Sequence, residues 1–276
     1  MSRGAEHCGV SQSAATQHVQ EVERRLGVTL LDRSRRPLEL TAAGRIYNDF
    51  CRDILRREEE FTQILEGFKG DVDGAVRVVS IYSIGLSEMS HLQDKFTRLY
   101  PNATLQVEYM RPDKIYEAVR NDAADLGLVS YPEPGRDIAV LPWREEEMYV
   151  AVPPSHPFAM LGEVQPADLS GCDFIGFDED LRIRRELDRF FRVSGVEVRQ
   201  AMHFDNIQMI KEAVALGNGI SILPARTMQA EIAQGRIAAV KLNAPELVRP
   251  VGIVHRKRKK FNRAAQSFLE LLVGGR

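Results

Sequence analysis

Residues 10–27 carry the pattern that most narrows how this chain can fold. Ser11 suits a helix N-cap and Gly27 the left-handed residue that closes a helix. Between them Ala15, Val19, Val22 and Leu26 recur at i, i+4, i+7 and i+11, which puts them on one apolar face. The other side carries Gln12, Ser13, Thr16, Gln17 and Gln20, with no charge. A solvated helix face is normally rich in Lys and Glu. Amides and hydroxyls are what base-edge readout needs, since Gln bonds adenine bidentately and Thr meets a thymine methyl. Residues 3–8 read as a short preceding helix ended by Gly9, so a helix–turn–helix is expected. Downstream, the segment Leu30–Leu40 flanks an Arg-rich tip with apolar residues. That is the pattern of a two-stranded wing whose Arg33, Arg35 and Arg36 reach phosphates or a minor groove. Arg24, in the last helical turn, is placed with the DNA-facing residues. A polar surface helix and a solvated turn are the plain alternatives.

From residue 42 to about 68 the chain reads as one long charged helix, with Thr41 as N-cap and Gly67 and Gly70 at its far end. Tyr47, Phe50, Ile54, Arg57, Phe61, Ile64 and Phe68 step alternately by three and four, a heptad seam with one charged position. Such a helix, ~40 Å long, has no obvious partner inside a small N-terminal module. Its seam is expected to meet a second copy; one face packed on its own domain is the alternative.

From about residue 75 short apolar runs alternate with amphipathic helices. The expected strands are Ala75–Ile81, Thr104–Tyr109 and Asp125–Ser130, then Asp173–Phe177, Glu197–Phe204 and Gly219–Leu223. Helices lie between them, including Asp113–Asn121 and Asn206–Leu216. The alternation predicts parallel sheets with crossover helices, and two such series predict two α/β lobes. Met148–Pro153 carries the chain to the second lobe, and Val248–His255 with a helix Phe261–Leu272 returns it. Two lobes joined by two crossings enclose a cleft, where small ligands bind.

Length and composition fit this division. The 276 residues exceed what one core usually serves, and 44% apolar with 28% charged residues is ordinary for a globular chain. Lys and Arg number 37 against 39 Asp and Glu, so any basic surface is local. The longest uncharged stretch, Met148–Gly162, is broken by three prolines and too short to span a bilayer. No apolar segment of signal-peptide type follows the start. Cys8, Cys51 and Cys172 are odd in number and far apart, as reduced thiols of a cytoplasmic protein would be. No GxSxG occurs, and the six histidines lack metal-site spacing. Gly217-Asn218-Gly219 lies between a helix and a strand, so it reads as a helix cap rather than a dinucleotide fingerprint. The basic run from His255 to Lys260 reads as a solvated strand end or a nucleic-acid patch. No cofactor and no catalytic set is expected.

The stretch SQSAATQHVQEVERRLGVTLLDRSRRPLELTAAG resembles the winged helix-turn-helix of LysR-type transcriptional regulators. Ser155-His156-Pro157-Phe158, the segment Gly217–Pro224 and Ala124–Leu128 add to the likeness, which runs from about residue 2 to the C-terminus. The resemblance implies a winged helix-turn-helix over 1–41, a dimerising linker helix over 42–70 and an effector domain over 75–276. That domain would have the type II periplasmic-binding-protein fold, with one lobe from about 75–147 and 249–276 and the other from about 148–248. It implies an effector site between the lobes at Ser83, Ile84, Gly85, Arg111, Ser130, Tyr131, Phe177, Asp178, Asp180, Asn206 and Ile207. Partners implied are double-stranded DNA, a small effector, and further copies of the chain as a homodimer or homotetramer paired through Tyr47, Phe50, Ile54, Phe61, Ile64 and Phe68. Two departures stand out. Members carry a further helix ahead of the position of Met1, and Asp178-Glu179-Asp180 replaces a Ser/Thr-rich turn suited to simple carboxylates. Solute-binding proteins and some enzymes share the two-lobed fold and form the competing reading.

Overall fold

The computed structural model of the chain describes residue 5 and residues 9–34, 38–67 and 72–274. Arg35, Arg36, Phe68, the side chain of Ile64 and most of the expected first helix lie outside the described residues. The chain forms two compact units, Met1–Gly70 and Asp71–Arg276.

In the first unit α1 (Gln12–Leu26) starts on Ser11, whose Oγ accepts the Ala14 N–H at 3.2 Å, and stops at Gly27 with φ of +66°. Ala15, Val19 and Val22 are half-buried. β1 (Leu31–Asp32) and β2 (Glu39–Leu40) pair antiparallel as the wing. Thr41 then caps α2 (Ala42–Gly67), its Oγ1 accepting the Gly44 N–H at 2.9 Å and donating to Thr29 O at 2.6 Å. Gly44 is required by a close approach, because a Cβ there would lie 2.0 Å from the carbonyl oxygen of Leu30.

The second unit has two lobes sharing one sheet. β3 (Gly74–Ser80), β4 (Ala103–Tyr109) and β5 (Leu126–Ser130) are parallel in the order β4-β3-β5. They are joined by a helical run ending in α3 (Ser90–Leu99) and by α4 (Pro112–Arg120). β6 (Ile138–Val152) is a 15-residue strand, of which the sequence predicted only the last part. Residues 138–147 were missed because their single inward face is interrupted by Arg144 and a run of glutamates. This half pairs antiparallel with β12 (Val248–Arg256). The other half pairs antiparallel with β10 (Ser221–Pro224) and β11 (Ala238–Leu242). The expectation of parallel sheets is therefore corrected to a mixed sheet. A chain that leaves one lobe, builds a second and returns must come back against the strand it left by.

The second lobe is completed by β8 (Asp173–Phe177) parallel to β9 (Arg199–Phe204), with α5 (Arg182–Ser194) and α6 (Ile207–Ala215). A short β7 (Glu163–Val164) pairs with β11, and a short α7 (Gln229–Ala233) precedes β11. Its core gathers Phe174, Ile175, Leu187, Ile210, Val214, Ile222 and Leu223, all shielded from water. The returning α8 (Arg263–Gly274) closes the first lobe. Phe268 meets Phe96 edge-on at 5.3 Å, and the Trp143 indole donates to Leu272 O at 2.8 Å. Asn262 caps this helix by accepting the Ala265 N–H at 2.7 Å, which sets its start after the expected Phe261.

Asp125 ties three segments of the first lobe. It accepts the Arg77 N–H at 2.8 Å and the Arg77 guanidinium at 2.9 Å, and it pairs with Lys259 at 2.7 Å. Burial alone would raise its pKa, but Arg77 and Lys259 override this and hold it at about 2. A carboxyl depressed on folding adds stability above its unfolded value and loses it as pH falls through the folded value. Asp125→Asn should therefore be less stable than the parent at neutral pH, with the difference shrinking as pH falls from about 4 to about 2. Urea unfolding across that range tests this; a pH-independent difference would refute it.

Candidate functional site: an interlobe cavity and an amide-faced helix

A cavity of about 240 Å³ lies between the lobes of the second unit. From the first lobe come Ile81–Ser83 after β3, Ser130 at the end of β5 with Tyr131 after it, and Arg111 at the head of α4. From the second come Phe177 at the end of β8, Asp180–Ile183 entering α5, and Asp205–Ile207 entering α6. These are carboxyl ends of strands and amino ends of helices, where open α/β sheets take their ligands.

Among the expected effector residues, Ser83, Arg111, Ser130, Tyr131, Phe177, Asp180, Asn206 and Ile207 line this cavity. Ile84, Gly85 and Asp178 do not. Beyond Ser83 the chain enters a helical turn that rotates the next side chains away. Ile84 is wholly buried in the core, and Gly85 lies under the Tyr109 ring, where a Cβ would come within 2.0 Å. Asp178 turns to the His203 ring nitrogen at 2.6 Å. Asn206 caps α6, its Oδ1 accepting the Met209 N–H at 3.1 Å.

Arg111 is committed to carboxylates within the chain. Its guanidinium bonds Asp180, lies 3.3 Å from Asp205 and 3.8 Å from Asp178, and its Nε lies 3.7 Å from Asp113. Burial works against its charge, and these carboxylates more than offset it, raising its pKa. Arg182 bonds Glu133, and Arg226 reaches Glu88 at 3.2 Å. Apart from Arg111–Asp113, each of these pairs joins one lobe to the other. Singly, half-exposed pairs are worth ~0–1 kcal/mol.

The polar group missed by sequence reading lies at the cavity floor. Arg249 is 2% exposed; its Nε and Nη2 donate to Glu146 Oε2 at 2.9 and 2.5 Å, and its Nη1 to Ser83 Oγ at 2.9 Å. Glu146 Oε1 accepts Arg144 Nε at 2.9 Å, and Arg144 Nη1 donates to Glu88 at 2.6 Å. Burial would raise the Glu146 pKa, yet Arg249 and Arg144 lower it. The available signal was a charged residue inside the apolar strand Val248–His255.

Tyr131 also marks the site. Its φ of +48° is unusual for a bulky residue, and its N–H donates to Pro250 O at 2.8 Å. Such strain collects at ligand sites. Burial pushes its phenol up to about 12.

On α1, Gln12, Ser13, Gln17 and Gln20 are exposed, and Thr16 is half-buried with Oγ1 donating to Gln12 O at 2.8 Å. Arg24 pairs with Glu21 at 2.5 Å and Arg33 with Glu23 at 2.8 Å. Glu23 also accepts the N–H groups of Leu30 and Leu31, fixing the wing to the helix. On α2, Phe50, Ile54 and Phe61 are 57%, 48% and 59% exposed, and Tyr47 lies 6.3 Å from Phe50 ring to ring.

Among the described residues no three His, Cys, Asp or Glu side chains are placed to hold a metal ion, and no helix is long and apolar enough to cross a membrane.

A winged helix-turn-helix and a two-lobed ligand-binding unit on one chain define an effector-responsive transcriptional regulator. Residues 1–45 match the bacterial regulatory helix-turn-helix of the lysR family, and residues 69–275 the LysR substrate binding domain. The chain belongs to the LysR family of transcriptional regulators. A probable RuBisCO transcriptional regulator of Cyanidium caldarium is 27% identical over 96% of this chain and 86% of its own length. The RuBisCO operon transcriptional regulator of Allochromatium vinosum is 24% identical over 99% and 90%. The structure of the Synechocystis CcmR regulatory domain in complex with 2-PG superposes with a TM-score of 0.67 at 23% identity, covering 74% of this chain and 97% of that one. CbnR, a LysR family regulator, gives 0.64 at 24% identity over 99% and 94%.

Removing Arg249 leaves Glu146 buried beside Arg144 alone. Arg249→Met should cost ~3–5 kcal/mol, and adding Glu146→Leu should restore most of it. Urea unfolding of both singles and the double measures the coupling; simple additivity would show that the pair is not an energetic unit.

Proposed function

We propose that the chain reads DNA sequence with Gln12, Ser13, Thr16, Gln17 and Gln20 and holds phosphates with Arg24, Arg33, Arg35 and Arg36. The observation that carries this is the exposed, uncharged amide and hydroxyl face of a helix capped at both ends. The Arg24–Glu21 pair is a surface pair, cheap to exchange for phosphate, and Glu23, largely covered, keeps the Leu30 and Leu31 N–H groups when Arg33 turns to a phosphate. Two chains pair through the α2 seam, and pairs of dimers form a homotetramer. The regulator acts in the cytoplasm and catalyses no reaction. Its effector is a small polar molecule held in the interlobe cavity, lined by Ser83, Ser130, Tyr131 and Phe177; the similar CcmR regulatory domain forms a complex with 2-PG. Because Arg111 and Arg182 already face carboxylates, binding competes with the cross-cleft pairs. A simple carboxylate suits this wall poorly.

The DNA reading separates two kinds of variant. Gln12→Ala or Gln17→Ala should cost ~1–3 kcal/mol on a duplex selected by the full chain from a random pool, and little on unselected duplex. Arg33→Ala should weaken both and lower the salt slope by ~1. Gel shifts at several salt concentrations distinguish them; equal losses on both duplexes for both classes would sink the division. For the seam, Phe50→Asp or Ile54→Asp places a charge where two copies would meet, costing several kcal/mol. Sedimentation should show dissociation, and an unchanged oligomer in both variants would move the interface elsewhere.

A further inference from the structure

The second unit has two poles. The cavity occupies the carboxyl ends of β3 and β5, whereas the amino ends of those strands lie beside the basic turn that follows β12. Lys257 N–H donates to Asp137 O at 2.9 Å, and Asn262 Nδ2 to Ala75 O at 2.9 Å, so the turn is folded onto the strand ends. Lys259 points inward and pairs with Asp122 and Asp125 at 2.5 and 2.7 Å. Its neighbours have no such use. Arg256, Lys257, Arg258 and Lys260, with Arg136 from the adjoining loop, are exposed. Among the described residues none of their side chains has an ion pair or hydrogen bond. Asp73, Asp122 and Asp137 are exposed acids of the same strand ends, Asp122 held by Lys259 and within reach of the Arg256 charge, so cations still prevail there although the whole chain carries −2. One lysine fixes the turn, and the remaining charges face water.

We propose that this turn, with Arg136, is a second contact for the phosphate backbone of the DNA that the chain binds. The proposal rests on the reading of the first unit as DNA-binding. Exposed Arg and Lys without fixed partners neutralise phosphates irrespective of sequence. The pole is also where the chain enters the unit: β3 begins at Gly74, separated from the last residue of α2, Gly67, by residues 68–73 alone. Once the recognition helix is on its site, flanking duplex is tethered to the chain. A second weak contact then gains from effective concentration rather than from new specificity. An acidic protein surface is the rival partner, but no tether would bring one to this pole.

The test uses the full chain and a variant carrying Arg256→Gln, Lys257→Gln, Arg258→Gln and Lys260→Gln, with Lys259 kept so that the turn stays pinned. Affinity for a random-sequence duplex of about 60 bp, several helical turns long, is measured over a range of KCl concentrations. The variant's plot of log affinity against log salt should be shallower by ~2–4, at ~0.9 for each phosphate no longer neutralised. Lysine replacements of Arg256 and Arg258 should keep the parent slope. A variant slope equal to the parent's overturns the proposal. An equal slope together with abolished retention on poly-glutamate overturns it too, and assigns the turn to an acidic protein. Failure of the parent to bind duplex at any salt would remove the DNA-binding reading and this proposal with it; binding by the parent with an unmoved variant slope removes this one alone.

Discussion

A guanidinium and a carboxylate almost sealed from water hold the middle of the effector unit together. Arg249 on β12 and Glu146 on β6 stand on adjacent strands that enter and leave the second lobe, and each neutralises a charge the other could not bury alone. Through Ser83 the pair reaches the cavity floor, and through Arg144 and Glu88 it reaches Arg226 in the other lobe. The placement of the cavity walls follows from that arrangement. The cross-cleft ion pairs of Arg111, Arg182 and Arg226 are more exposed and individually weak.

The same economy explains what the cavity presents to a ligand. Arg111 and Arg182 bring positive charge to the walls, but folding surrounds them with aspartates and glutamates from both lobes. The charges that line the interior therefore have no dominant sign, and they are set among mostly apolar surface. Apolar surface from Ile81, Phe177 and Ile207, with strained Tyr131, gives shape. A ligand here is selected by fit and by exchange of existing ion pairs more than by net attraction.

What the sequence made legible was local. The capped recognition helix, the wing and the seam of the long helix are written in spacings of three and four residues and in Ser11, Gly27 and Thr41, all of which adopt capping roles. The strand and helix alternation was readable for the same reason. What escaped depends on partners distant in the chain. Nothing local marked Glu146, because the residue that makes it a core group lies 103 positions later. The pairing of Arg111 was not legible because three of its aspartates come from the other lobe. Ile84 and Gly85 sit beside Ser83 in sequence but turn with the helix into the core, which a residue-by-residue likeness does not reveal.

The fifteen-residue strand β6 gives the unit a mechanical character of its own. Its first half is a rib of one lobe and its second half a rib of the other, with no loop between them. Opening the cleft therefore cannot be a free swing on a flexible joint. It must twist a continuous, hydrogen-bonded ribbon, whose restoring force grows with the angle. A change in cleft angle would then bend both sheets through one ribbon, as a leaf spring flexes, and not turn them about a joint.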